Sequence, residues 1–244
     1  MFETTVREGV CRLSREGTRW LSTGYAGGES HGPVAYNVTV PEGWPETDLD
    51  AYVEERRRRA GFDTAGPTLL TGVDQRHARR ARLGSVEAVV TAGVSNPATL
   101  PLDPDSPTTD DAPVDGSARD DRPVGTVNVV VGTTRSLAPG ALANLLTVAA
   151  EAKTATLLST TGFTGTTTDA VVAACDPAGE QAAFSGSATE VGAAVRACVR
   201  DALVASLESR YAASADEIPD SVADAEYGVV TDARAAVSRV QPPN

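Results

Sequence analysis

Lys153 is the only lysine in a chain that otherwise carries its positive side-chain charge on twenty arginines. An amine can do chemistry that a guanidinium cannot, because it loses its proton readily when desolvated. It stands in EAKTATLL (151–158), two residues after Glu151. Stepping by about 100° per residue, Asn144, Thr147, Glu151 and Thr154 form a polar stripe. Leu142, Leu145, Leu146 and Ala149 form the opposite, apolar face, and Lys153 falls in its middle. Glu151 and Lys153 therefore point apart and do not form a local salt bridge. A buried ammonium must find a carboxylate, lose its proton or reach back to water. Spacing alone leaves a catalytic Lys153 and a snorkelling one equally open.

Two further polar stretches end apolar runs. AGVSNP (92–97) sets the Ser95 hydroxyl and the Asn96 carboxamide on a turn, although these are also ordinary turn residues. TGFTGTTTD (161–169) combines glycines, which allow close backbone approach, with threonine hydroxyls. Such a loop can hold an oxyanion or an amide carbonyl, or it can be a polar connector. No Gly-Lys-Ser/Thr follows it, so it is not a P-loop. Asp169 either orients a hydroxyl or ends the loop. His31 and His77 are the only histidines, nothing places His31 near Ser95, and a multi-histidine metal centre is excluded. A hydrolase built from these residues would use Ser95 or Thr166 with Lys153 as base, or a Lys153/Glu151 acid–base pair acting through water. No resident metal or cofactor is expected.

Composition bounds the partners. A net charge of −12 and a pI near 4.6 argue against nucleic acid and anionic membrane surfaces. Carboxylate-rich blocks with almost no lysine suit high salt, and a GC-rich genome would favour arginine in the same way. Cys11, Cys175 and Cys198 are odd in number and lack a CxxC pair. They read as small buried residues in a reducing cytoplasm rather than as a disulfide or zinc framework. No signal peptide and no membrane span is expected. The oligomeric state is left open.

These residues need elements to position them. Residues 4–23 alternate around Arg-Glu-Gly as a hairpin, and VAYNVTVP continues as a strand. A helix is predicted over 48–61, whose four arginines read as a solvated end. PTLLTGV, VEAVVTAGVSN, GTVNVVVGTT and AVVAACD read as strands, and DQRHARRARLG as a basic helix or turn. Long helices are predicted from Pro139 to Leu158, with Ser136 as cap, and over 187–211. The fold class is α/β: a single domain (1–211) with a mixed sheet and packed helices. An acidic loop is inserted at 100–122, and 212–244 is an acidic C-terminal extension in which YGVVTDARAAVSRV can add a strand and a turn of helix. A faint echo, with Asn37 and Asn128 each early in a valine-rich strand, suggests either an internal duplication or chance.

Four ordered motifs, TAGVSNP (91–97), GTVNVVV (125–131), EAKTATLL (151–158) and TGTTTDAVVAA (164–174), resemble the adenosylcobinamide amidohydrolases, the CbiZ family. LSTGYAGG, YNVTV and SGSATEVGAAV extend the resemblance to roughly residues 15–205. It implies hydrolysis of the amide joining aminopropanol to a corrin propionyl group, giving adenosylcobyric acid in archaeal corrinoid salvage. The substrate is then a small-molecule corrinoid that brings its own cobalt, and the acidic composition fits a halophilic source. The competing reading is a corrinoid- or nucleotide-binding module without catalysis. The candidate catalytic residues are Lys153, Glu151, Ser95, Thr166 and Asp169. The candidate substrate contacts are Ser22, Gly27, Gly28, Asn37, Asn96, Asn128, Thr164 and Gly165. Asn96, Asn128 and the 164–166 backbone are the expected oxyanion donors. Thr167 stands where the family pattern suggests glycine, and the loop at 100–122 is longer and more acidic than that pattern.

Overall fold

The computed structural model describes residues 1–41, 48–103, 125–212 and 217–240. Most of the expected insertion at 100–122 lies outside the described residues. In chain order the elements are β1 (Glu3–Arg7), β2 (Val10–Ser22), β3 (Gly28–Thr39), α1 (Leu49–Arg59), β4 (Thr68–Thr71), β5 (Arg79–Leu83) and β6 (Val86–Ala92). There follow β7 (Pro97–Thr99), β8 (Val127–Thr133), β9 (Ser136–Leu137), α2 (Pro139–Thr161), β10 (Gly165–Thr166), β11 (Ala170–Cys175), β12 (Gln181–Ala182), α3 (Glu190–Tyr211) and β13 (Val229–Val230).

The main sheet runs β4-β3-β2-β11-β8-β6-β5, with β1 also on β2. It is best understood as two pieces with one connectivity. In β1-β2-β3-α1-β4 the first two pairings are antiparallel and β3/β4 is parallel. In β5-β6-β8-α2-β11 the corresponding pairings have the same senses. Strand β2 joins the pieces: its register shifts between Ser14 and Thr18, and beyond the shift it pairs with β11. The Asn37/Asn128 echo is thus a repeated topology. Asn37 stands opposite Leu69 in β4, and Asn128 opposite Ala170 in β11.

The repeat extends to the helix ends. Gly61 (φ +73°) and Gly162 (φ +79°) both adopt the left-handed conformation that ends a helix with little strain. Each is followed by a buried phenylalanine, Phe62 and Phe163. The spacing from Gly61 to Leu69 equals that from Gly162 to Ala170.

Strand residues alternate between two cores. Cys11, Leu13, Trp20, Ala35 and Leu69 of the first piece pack against Val89, Val130, Val172 and Ala174 of the second. The alternate residues Ala88, Val90, Val129, Val131, Val171 and Ala173 face α2 and α3. On the far side, Val10, Val34, Tyr36 and Val38 cluster with Ala60 and Phe62 at the end of α1. The two pieces of this one sheet face each other, with α1 outside the first and α2 and α3 outside the second. Both faces of the sheets are covered, which explains the near-continuous apolar strands.

Several boundaries differ from expectation. Ser136 lies in β9 and does not cap α2, whose N-cap is Ala138 with Pro139 in the first turn. Residues 74–84 form a short 3-10 turn and then strand β5 rather than a basic helix. There Arg80 and Arg82 pair with the fully buried Glu87. The C-terminal segment supplies β13, and no helical turn follows it within 231–240.

Candidate active site

Lys153 lies on the buried face of α2, as its spacing predicts, together with Leu142, Leu145, Ala149 and Ala152. Its partner comes from beyond the helix: Nζ pairs with Asp169 Oδ2. Both side chains are close to 90% shielded, at 10% and 11% exposure, and such a pair needs its remaining valences satisfied. Asp169 meets that need. Its Oδ1 accepts from Val127 N–H at 2.9 Å and from the Thr166 hydroxyl, and its Oδ2 also accepts from Thr166 N–H at 3.1 Å. A Cβ at Gly165 would sit 2.9 Å from Asp169 Oδ2 and 3.7 Å from Lys153 Nζ, so only glycine lets this backbone lie against the pair. The result is a chain from the Thr166 hydroxyl through the Asp169 carboxylate to the Lys153 ammonium.

The 164–169 loop is stitched to both neighbouring segments. Thr164 gives its N–H (3.0 Å) and its hydroxyl (2.9 Å) to Ala98 O. Thr167 N–H donates to Asn96 O at 3.1 Å, and β10 pairs with β7. The Thr126 hydroxyl lies 3.0 Å from Thr168 O, and the Thr168 hydroxyl donates to Gly125 O at 3.1 Å. Strand β13 pairs with the other edge of β7, so the C-terminal segment backs this loop system. Ser95, Thr167 and Thr168 are exposed, and Thr166 is buried.

The other expected residues divide into three groups. Asn37 and Asn128 are buried at 3% and 1% exposure and bridge the two sheets. Asn128 Nδ2 donates to Asn37 Oδ1 and to Leu70 O, both at 2.9 Å. Asn37 Nδ2 donates to Thr91 Oγ1 at 2.9 Å, and Thr126 Oγ1 lies 3.1 Å from Asn128 Oδ1. This is an interior joint rather than a cleft surface, because strands buried on both faces turn their polar groups toward each other. The amides of Thr164 and Thr166 are likewise engaged within the protein. Asn96 is buried and anchors the loop through its carbonyl. Glu151 is on the solvent side of α2, 3.9 Å from Arg196, and is not brought to the Lys153 cluster.

Ser22, Gly27 and Gly28 line a separate cleft of about 490 Å³ between the β2–β3 turn, α1 and the start of β4. The Ser22 hydroxyl accepts from Gly24 N–H at 3.1 Å. On its wall the Tyr25 hydroxyl donates to Asp50, and that hydrogen bond pushes the phenol up to about 12. The cleft adjoins the Asp169 end of β11: Thr23 N–H donates to Val171 O at 3.0 Å. Sequence reasoning missed Thr91 and Thr126, whose hydroxyls signal nothing until the second sheet is placed over them. Among the described residues no three His, Cys, Asp or Glu groups gather as a metal site, and no helix is long and apolar enough to cross a membrane.

The adenosylcobinamide amidohydrolase family model matches residues 2–215. An adenosylcobinamide amidohydrolase of Halobacterium salinarum is 56% identical over 242 residues, covering 98% of this chain and 100% of the relative. A second, of Methanosarcina mazei, is 28% identical over 200 residues, covering 78% of this chain and 90% of the relative. Among solved structures, a Pyrococcus horikoshii protein overlaps with a TM-score of 0.40 at 13% identity, over 84% of this chain and 78% of that one. The L-aminopeptidase D-Ala-esterase/amidase of Ochrobactrum anthropi overlaps at 0.36 and 14%, over 84% and 82%. With the family model spanning nearly the whole domain and a relative at more than half identity, the chain belongs to the adenosylcobinamide amidohydrolase family.

Proposed function

We propose that this protein hydrolyses the amide between aminopropanol and the corrin propionyl group of adenosylcobinamide, yielding adenosylcobyric acid for corrinoid salvage. Family membership over almost the full chain carries this reading. The non-catalytic binding module is not favoured, because it has no need of a hydroxyl–carboxylate–ammonium chain.

The reaction centre of this proposal is Thr166–Asp169–Lys153. The Thr166 oxygen attacks the amide carbon as its proton passes to Asp169 Oδ1. The C–N bond then breaks, the leaving amine takes that proton, and the acyl group stays as an ester on Thr166 until water releases the acid. Lys153 is ion-paired, so its role shifts from the expected base to the cation that holds the Asp169 carboxylate in place beside Thr166. Ser95, which is exposed, is left to face the substrate. Glu151 has no part in the chemistry. The proposed reaction uses no resident metal, so chelation should leave turnover unchanged.

The test is release of aminopropanol from adenosylcobinamide, followed by mass spectrometry, with hydroxylamine added in a parallel arm. The expected result is turnover, with part of the product diverted to the hydroxamate. No aminopropanol release by the folded protein overturns the function. Turnover without hydroxamate replaces Thr166 by an activated water.

A further inference from the structure

The internal repeat gives the corner before β11 a counterpart residue by residue. Counting back from Asn37 and Asn128, Tyr36 corresponds to Val127 and Ala35 to Thr126. Counting forward from Gly61 and Gly162, Pro67 corresponds to Thr168 and Thr68 to Asp169. The first piece closes its corner with main chain alone: Tyr36 N–H donates to Pro67 O at 2.8 Å. In the second piece the equivalent amide is diverted, because Val127 N–H donates to Asp169 Oδ1 at 2.9 Å. The Thr168 carbonyl, which takes the place of Pro67 O, then needs another donor. The Thr126 hydroxyl supplies one at 3.0 Å. Ala35 and Thr126 are both fully buried, and a hydroxyl is found only in the piece whose strand amide serves a carboxylate.

Two adjacent residues thereby hold Asp169 from both ends. The Thr126 side chain fixes the peptide between Thr168 and Asp169 through its carbonyl, and the Val127 main chain fixes the carboxylate. Thr126 is itself anchored. Its carbonyl accepts from Gly93 N–H at 3.1 Å, and its hydroxyl also lies 3.1 Å from Asn128 Oδ1. The Asn128 carboxamide has a fixed orientation, since its Nδ2 donates to Asn37 Oδ1 and to Leu70 O. One hydroxyl proton is thus shared between the interior joint and the 164–169 loop, and the β-branched side chain has few rotamers in which to lose it.

We infer that Thr126 is a positioning residue of the active site: its hydroxyl takes over the Thr168 carbonyl and so releases Val127 N–H to hold the Asp169 carboxylate beside Thr166. Its effect on rate rests on the proposed reaction centre; the exchange of hydrogen bonds does not. Without the hydroxyl, Val127 N–H returns to the Thr168 carbonyl, as in the first piece, and Asp169 loses a donor.

The test compares Thr126→Ala, which installs the residue of the first piece, Thr126→Val, which keeps the volume, and Thr126→Ser, which keeps the hydroxyl. Crystal structures give the acceptor of Val127 N–H, aminopropanol release gives kcat and KM for adenosylcobinamide, and thermal melts report folding. In Thr126→Ala, Val127 N–H should donate to Thr168 O. In Thr126→Ala and Thr126→Val, kcat should fall by about tenfold or more with KM within about twofold of wild type. Thr126→Ser should stay within about threefold of wild type. A lowered Tm without loss of kcat makes the hydroxyl purely structural and overturns the inference. So does a Thr126→Ala protein in which Val127 N–H keeps Asp169 as its acceptor, or a folded Thr126→Ser protein as slow as Thr126→Ala. If Thr126→Val slows turnover and Thr166→Ala does not, attack by Thr166 is overturned and the placing of Asp169 stands. A wild type that releases no aminopropanol overturns the proposed reaction, and the acceptor of Val127 N–H still decides for or against the exchange.

Discussion

The two β-β-β-α-β pieces differ most where their shared connection enters the last strand. In the first, Tyr36 N–H donates to Pro67 O at 2.8 Å. In the second, Val127 N–H, likewise one residue before the echoed asparagine, donates to Asp169 Oδ1 at 2.9 Å. Counting back equally from Gly61 and Gly162, the place of Lys153 is taken by Tyr52, whose hydroxyl accepts from Arg56 at 2.6 Å. Counting forward, the place of Asp169 is taken by Thr68, which donates to Gly66 O at 3.0 Å. The connection therefore closes without any buried charge. A buried ion pair is weak support for stability against a well-packed neutral alternative, which agrees with the chemical role proposed for Lys153 and Asp169. The first piece lines the cleft between the β2–β3 turn and α1.

Removing each helix residue in turn tests this contrast hardest. Lys153→Met should lower kcat for aminopropanol release by about 100-fold or more, whereas Tyr52→Phe should stay within about threefold; equal effects would erase the asymmetry. The joint between the pieces should respond in stability instead. Asn128→Ala leaves Asn37 Oδ1 and Leu70 O without their donor, a loss of about 2–3 kcal/mol. Thermal melts should show Tm falling by about 5–10 °C, and Asn37→Ala combined with Asn128→Ala should cost clearly less than the sum.

A smaller effect concerns protons in the first piece and in α3. Burial pushes the thiols of Cys11 and Cys198 up to about 11 from 9.0. The folded state holds these protons longer than the unfolded chain, so the contribution is complete below pH 9 and is lost as pH rises toward 11. Melts across that window should fall with pH, and Cys11→Ala should flatten the slope. The smallest expected change is Glu151→Gln, within about twofold of wild type, because this carboxylate faces solvent beside Arg196; a large loss would relocate the chemistry to the far side of α2.

What was legible in the sequence was local. Helical spacing placed Lys153 on the buried face and separated it from Glu151, because one helix fixes both angles. The strand order Asn37, then Asn128, was visible as an echo, and the structure gives it a topological basis. Its use was not legible: both faces of these strands are covered, and no pattern within a strand tells which layer an asparagine meets. The Asp169 partnership is likewise non-local, joining a helix interior to the residue that opens β11. The Gly-Phe pairs at 61–62 and 162–163 were a readable signal of the repeat, since left-handed helix ends favour glycine. Residues 74–84 begin with the turn that the sequence allowed and continue as strand β5, on which alternate arginines reach the buried Glu87.

The proposed chemistry stands or falls on the Thr166 hydroxyl, held by Asp169 and Lys153, performing the attack. The most direct measurement compares initial rates of aminopropanol release for Thr166→Ser and Thr166→Ala in protein shown to be folded. Serine should retain activity within about tenfold, and alanine should lose about 1000-fold or more. A folded Thr166→Ala protein that turns over adenosylcobinamide near the wild-type rate contradicts this role for Thr166.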